Sequence, residues 1–175
     1  MNYATIKWYD IANGEGVRIS LFVSGCTHHC KNCFNKIAWD FDYGEPFDEA
    51  TKEKILSELA SPFIAGLSLL GGEPLEPSNQ VGLLPFVEEA RKRFPEKSIW
   101  CYTGYTFDEE TGALREKHVN TPDTKKLISL FDVLIDGAYV EELHDIRLRF
   151  RGSSNQRVID VQKSLAEKKC VLYLE

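Results

Sequence analysis

The chain has 175 residues, 43% hydrophobic and 27% charged, a balance that excludes a disordered or low-complexity protein. Its 27 acidic residues outnumber its 21 basic ones, and the formal charge of -6 argues against a nucleic-acid partner, which calls for a basic surface to neutralise phosphates. No apolar run approaches the ~18–20 residues that cross a bilayer, and MNYATIKWYD lacks the charged-then-apolar build of a signal peptide. The expectation is one domain over residues 1–175, away from membranes and cytoplasmic, where disulfides are rare and five cysteines need another use.

In chain order, the first nearly continuous apolar run is ISLFVSG (19–25), which predicts a buried strand. DEATKEKILSELA (48–60) predicts a helix with Ile55, Leu56 and Leu59 on one face and Asp48 or Thr51 as its cap. LSLLGG (67–72) is the next strand, followed by a helix over 81–94 with a proline in its first turns. SIWCYTG (98–104) is a strand, PDTKKLISLF (122–131) a helix with Pro122 suited to its first position, and DVLIDG (132–137) a strand. RLRFRG (147–152) is a more polar strand candidate, and CVLYL (170–174) closes the series.

Strands alternating with helices predict an α/β fold with a mostly parallel sheet. At roughly 30 residues per unit there is room for about five or six units, so the expected form is an incomplete (β/α) barrel. Functional residues belong at the C-terminal strand ends, and four strand candidates end in SGC, GGE, TGY and DGA.

The chemistry is concentrated in Cys26-Thr-His-His-Cys30-Lys-Asn-Cys33, directly after the first apolar strand. Three thiolates on one loop can face one centre, and thiolates favour zinc and iron–sulfur clusters over hard metals. A structural zinc takes four protein ligands, which His28, His29 or Cys101 would complete. A cubane cluster on three cysteines instead keeps one iron open for another ligand. Cys30 and Cys33 alone also match a C-x-x-C redox pair, which leaves Cys26 unexplained. Spacing favours the cluster and leaves the zinc site open.

The neighbouring residues carry a resemblance. The C-x3-C-x2-C loop after the first strand, with Gly71-Gly72-Glu73-Pro74 ending the second, resembles the radical S-adenosylmethionine superfamily. More narrowly, DIANGEGVRISLFVSGCTHHCKNCFN, LLGGEPL, WCYTGY, VLIDGAY and FRGSSNQRVID resemble the activating proteins of anaerobic ribonucleoside-triphosphate reductases. These segments run in order from Asp10 to Asp160 and cover nearly the whole chain. One departure is Asn32, where the wider superfamily often has an aromatic residue before the third cysteine; Phe34 follows it instead.

The resemblance implies a [4Fe-4S] cluster on Cys26, Cys30 and Cys33, with S-adenosyl-L-methionine chelating the open iron. It implies cofactor contacts from the backbone around Asn32, Cys33 and Phe34 to the adenine. Gly71, Gly72 and Glu73 would serve the methionine end. The activity implied is reductive cleavage of the cofactor to a 5′-deoxyadenosyl radical, which generates a glycyl radical on the reductase. Its partners are then the large subunit of an anaerobic (class III) ribonucleotide reductase and a flavodoxin- or ferredoxin-like electron donor. An activase for another glycyl radical enzyme, such as pyruvate formate-lyase, is the same-class alternative; a zinc-stabilised interaction module is the different-class one.

Other residues have plainer expectations. Asn13-Gly14-Glu15-Gly16 reads as a turn, and Arg18 as a contact to cofactor or partner, or a surface ion pair. Thr103, Gly104, Asp136 and Gly137 suit ribose or adenine contacts by position. Arg151 to Gln156 is expected at the cofactor site or at its mouth. Cys101 and Cys170 read as buried small hydrophobes, and His118 and His144 as surface residues.

Overall fold

A computed structural model describes all 175 residues, Met1–Glu175. One eight-stranded sheet organises them, in the order β10-β9-β8-β5-β4-β2-β1-β3. Its centre is four parallel strands: β2 (Arg18–Val23), β4 (Gly66–Gly71), β5 (Ser98–Tyr102) and β8 (Val133–Asp136). Antiparallel strands flank them, β1 (Asn2–Asp10) and β3 (Glu45–Pro46) on one side, β9 (Arg157–Asp160) and β10 (Leu172–Leu174) on the other. A small hairpin, β6 (Phe107–Asp108) with β7 (Ala113–Leu114), stands apart. The fold is thus α/β with a mixed sheet. Its four parallel strands are fewer than the expected five or six units, because both flanks are built by antiparallel returns.

Helices α1 (Glu49–Leu59), α2 (Pro77–Arg93) and α3 (Thr124–Ser129) cross between successive parallel strands, and α4 (Val161–Glu167) follows β9. Alternation along the strands decides what each face carries. Ile19, Leu21, Leu67, Leu69, Ile99 and Leu134 point towards the helices and form the main core with Ile55, Leu59, Leu83, Val87 and Leu127. The opposite face carries a small apolar cluster, Trp100, Val133, Ile135 and Val158, and leaves room beside it.

The helix ends have local causes. Asp48 caps α1 by accepting from Thr51 N at 2.8 Å. The α2 helix begins at Pro77, four residues before the expected start, with proline at its first position and basic residues in its last turn. Its early polar residues are buried, Asn79 donating to Ser24 O and Glu73 O, Gln80 to Leu75 O and Val119 O. The α3 helix is shorter than expected: Asp123 is its N-cap residue, so Pro122 lies outside it.

Three sequence expectations fail here. Residues 147–152 form no strand; Phe150 instead adopts left-handed backbone (φ 61) and sets its ring edge-on to Trp100 at 5.1 Å. Cys170 precedes β10 and is only half-buried. Arg18 is fully buried, so it forms no surface ion pair, and it is not among the residues that line the cavity described below. Its guanidinium donates to Ser68 Oγ, Ser98 Oγ and the carbonyls of Glu15, Leu67 and Ser98, at 2.7–3.1 Å. It therefore ties β2, β4 and β5 together at their N-terminal ends. Burial lowers its pKa to about 10, which still leaves it protonated at neutral pH. Asn13 to Gly16 wraps this group: Asn13 O accepts from Ser68 Oγ, and a Cβ on Gly14 (φ 132) would lie 2.7 Å from the Arg18 side chain.

No helix is long and apolar enough to cross a membrane.

Candidate active site

Parallel register aligns the C-terminal strand ends. Val23 pairs with Gly71, Leu69 with Cys101 and Tyr102 with Ile135, so the segments after β2, β4, β5 and β8 emerge side by side. They enclose a cavity of about 410 Å³ on the face opposite the helices, within the usual range for small-molecule sites. Cys26, Cys30 and Cys33 line it, as do Asn32, Phe34, Gly71, Gly72 and Glu73, so the cysteine loop and the GGE turn are brought to one place.

The cysteine loop is held by its own backbone. Gly25, His29 and Asn32 are left-handed (φ 97, 49 and 57), a conformation that His and Asn tolerate better than most side chains. Cys33 N donates to Cys30 O at 3.2 Å, and Asn35 N to Cys33 Sγ at 3.4 Å. Cys26 is buried; Cys30 and Cys33 are half-buried.

Two buried carboxylates anchor this loop to the end of β4. Glu73, 1% exposed, accepts from Leu75 N and Thr103 Oγ1 on one oxygen, and from Gly104 N on the other, where His28 Nε2 also lies at 2.7 Å. Glu76 accepts from Thr27 N, Thr27 Oγ1 and Tyr105 Oη at 2.6–3.1 Å. Burial works against a charge on His28, but the Glu73 hydrogen bond and the Glu73 and Glu76 charges outweigh it and raise its pKa. His28 is thus an anchor of the loop. His29 stacks on Trp39 at 4.2 Å with ring planes 10° apart.

The glycines permit close approach. A Cβ on Gly72 would meet Gly25 O at 2.6 Å and Ala38 O at 2.8 Å, both backbone atoms. Gly72→Ala is therefore expected to push the cysteine loop off β4, at a cost of about 1–3 kcal/mol, read as a lower melting temperature and less iron per chain after reconstitution.

The Cys26 thiol is pushed up to about 12, first by burial and then by the Glu73 and Glu76 charges; burial and neighbouring Cys33 raise Cys30 too. A soft cation displaces protons from such thiols. No three Cys, His, Asp or Glu side chains converge as a ready ligand set. The donor chemistry nevertheless fits an iron–sulfur cluster, with three cysteines on one loop. The cavity, at about 410 Å³, also has room for a group larger than an ion, and Trp39 and Tyr102 give it aromatic walls.

Other expected residues divide. Thr103, Gly104 and Gly137 line the cavity; Asp136 does not. Its carboxylate is committed to Arg157 (2.5 and 3.0 Å) and Phe107 N. Of the segment from Arg151 to Gln156, Gly152 and Gln156 reach the cavity. Gln156 Oε1 accepts from Gly152 N and Ser153 N, while its Nε2 donates to Gly137 O, clasping this turn to the end of β8. His118 is exposed, and so is His144, but the latter also lines the mouth, with Nδ1 3.0 Å from Gly152 O. Sequence reasoning passed over Trp39, Tyr102 and Tyr139 as lining residues; only Tyr102, at the end of an apolar run, carried a positional signal. Cys101 lies on the helix side of β5. Cys101→Ala is expected to leave the iron content unchanged and to cost about 1 kcal/mol in unfolding; iron loss from that variant would contradict this placement.

Comparison with known proteins identifies the family of the chain. A family described as a 4Fe-4S single cluster domain matches residues 12–159. The anaerobic ribonucleoside-triphosphate reductase-activating protein of Pasteurella multocida is 44% identical over 158 residues, 89% of this chain and 95% of the relative. The protein of that name from Escherichia coli (strain K12) is 41% identical over 160 residues, 90% of this chain and 97% of the relative. That of Enterobacteria phage T4 is 39% identical over 160 residues, 90% and 93% of the two chains. With its cysteine loop inside the matched region and nearly full-length identity to these relatives, the chain belongs to the family of anaerobic ribonucleoside-triphosphate reductase-activating proteins.

Proposed function

We propose that this protein activates an anaerobic (class III) ribonucleoside-triphosphate reductase by radical chemistry, with the reductase's large subunit as its protein substrate. The observation that carries the reading is the meeting of the cysteine loop with the ends of β4 and β5 at one cavity. In this reading Cys26, Cys30 and Cys33 hold a [4Fe-4S] cluster, and S-adenosyl-L-methionine binds beside it. When bound, the pair supplies one-electron cleavage of the C5′–S bond, giving methionine and a 5′-deoxyadenosyl radical that removes hydrogen from a glycine of the partner.

The chain's own part is to bind, orient and exclude water. Gly71 and Gly72 bring backbone close to the methionine end, and Asn32, Cys33 and Phe34 bring backbone towards the adenine. Glu73 acts through its anchoring of His28, Thr103 and Gly104, which fixes the cavity walls relative to one another. Orientation of this kind supplies much of an enzymatic rate. Phe34 stands at the rim, 87% exposed, where a docked partner would cover it.

Residues 1–175 serve in this reading as a single radical S-adenosylmethionine domain. The four parallel strands form the wall of an incomplete barrel, helices outside and cofactor inside. A low-potential flavodoxin- or ferredoxin-like carrier delivers the electron in the cytoplasm.

The test is to mix the reduced, cluster-loaded protein and S-adenosyl-L-methionine with the large subunit of a class III reductase, and separately with pyruvate formate-lyase. A glycyl radical signal by electron paramagnetic resonance on the reductase alone is the expected result. A signal only on the lyase would transfer the activity to another glycyl radical enzyme, and bound zinc with no signal would make the cysteines structural.

A further inference from the structure

The turn from Arg151 to Gln156 closes an arm, residues 139–153, which leaves the end of β8 and returns to β9 beside it. Ser153, fully buried, is its base: Val140 N donates to Ser153 Oγ at 3.2 Å, and His144 pairs with Ser153 across the two limbs. Ser154 N donates to Leu143 O at 2.9 Å and Asp145 N to Gly152 O at 3.3 Å, so the limbs are laced together. The charged side chains of the arm are engaged within the chain. Glu141 accepts from Tyr139 Oη, and Glu142 lies 3.5 Å from Lys31 of the cysteine loop. Arg147 donates to both carboxylate oxygens of Asp145, Arg149 approaches Glu15 at 3.7 Å, and Arg151 donates to Gln156 O. What the arm leaves unengaged is apolar: Leu143, 42% exposed, and Ile146, 87% exposed.

Apolar side chains exposed singly are ordinary on a protein surface. These two stand apart because of where the fold holds them. Ordering a loop costs backbone entropy, and this loop buries neither residue in return. His144 and Gly152, one on each limb, line the cavity; Leu143 directly precedes His144, and Ile146 follows it closely. A hydrogen atom can pass from a partner's glycine to a radical in this cavity only if the partner's chain enters the mouth, so the surface at the mouth is the one the partner covers. We propose that the arm is a docking surface for the reductase's large subunit, with Leu143 and Ile146 packing on an apolar patch beside its glycine-bearing segment. This rests on the reading of the protein as the activator of such a reductase. An arm ordered in advance lowers the cost of association. Because its charges are already paired, the attraction comes from apolar burial and depends little on salt.

The test uses the anaerobically reconstituted holoprotein and the large subunit of a class III reductase, with affinity read by biolayer interferometry and the glycyl radical by paramagnetic resonance. Leu143→Asp with Ile146→Asp puts charge on the proposed contact; Leu143→Met with Ile146→Leu keeps it apolar. Both positions are exposed, so melting temperature, iron per chain and partner-free 5′-deoxyadenosine formation are expected to stay native in both variants. The aspartate variant should bind the reductase about tenfold more weakly or worse, as loss of interface anchors does. Its radical yield at limiting reductase should fall with the affinity, while the apolar variant matches the native protein. Raising the salt concentration about tenfold should change the native affinity by less than about threefold. Native affinity and radical yield in the aspartate variant would overturn the proposal. So would loss of partner-free cleavage in that variant, which would assign the arm to the cofactor, or a steep salt dependence removed by Arg147→Ala, which would make the docking ionic. A native protein that forms no glycyl radical on the reductase would instead overturn the functional reading, and this inference with it.

Discussion

Replacing Glu73 with alanine is expected to lower the unfolding free energy by about 3–5 kcal/mol, or roughly 10 °C in melting temperature, and to prevent stable cluster assembly. The carboxylate is 1% exposed and gathers Leu75 N, Thr103 Oγ1, Gly104 N and His28 Nε2. Removing it strands these groups, and the bonds to Leu75 N and Thr103 Oγ1 are buried. It also releases the cysteine loop from β4 and β5, because His28 loses its anchor. Glu73→Gln should fall between: its amide oxygen can serve Leu75 N and Thr103 Oγ1, but its NH2 then faces the Gly104 N–H donor. The measurement is thermal unfolding of the metal-free variants, followed by iron content after reconstitution. Alanine and native proteins melting together, with only cofactor affinity reduced, would show that the carboxylate acts on the cofactor and not on the scaffold.

Arg18→Ala should be comparably costly, at about 3–5 kcal/mol, yet for reasons remote from the chemistry. The guanidinium lies over the Trp100 ring at 5.3 Å and donates from β2 to five neutral oxygens, on β4, on β5 and at Glu15. Truncation leaves a cavity and takes away the donors to buried Leu67 O and to part-buried Ser98 O and Glu15 O. Lysine cannot repair it, having one nitrogen where five directed donors are needed. The check is denaturant unfolding of the metal-free protein. A variant as stable as the native chain, but deficient in binding the cofactor or the reductase, would restore Arg18 to a functional role.

These two residues mark where the sequence is legible and where it is not. Buried strands were visible because their apolar residues are nearly continuous, as in Ile19 to Val23 and Leu67 to Leu70, each broken by one serine. The β1 strand was missed because it is half-exposed: Ile6 and Trp8 pack on the core while Thr5, Lys7 and Tyr9 face solvent. The β9 strand and α4 were missed for their shortness, although Asp160 caps α4 by accepting from Lys163 N at 3.0 Å. Asn79 and Gln80 disguised the first turn of α2 as a loop, because buried amides read as exposed ones until their carbonyl partners are known. The candidate site was more legible than the fold, since three cysteines and a GGE turn announce their chemistry locally. Arg18 was misread because nothing in NGEGVR tells a buried guanidinium from a surface one. The Thr27–Glu76 anchor joins residues 49 apart, and only the register of β2 against β4 brings them together.

The central claim is that Cys26, Cys30 and Cys33 carry a cluster that cleaves S-adenosyl-L-methionine. The most direct measurement is 5′-deoxyadenosine formation by the anaerobically iron-reconstituted protein with that cofactor and dithionite. The account predicts product from the native chain and from Cys101→Ala, and none when any one of the three loop cysteines is replaced by alanine. Product formed at the native rate by Cys30→Ala, or a native chain that binds zinc and yields no product, would contradict it.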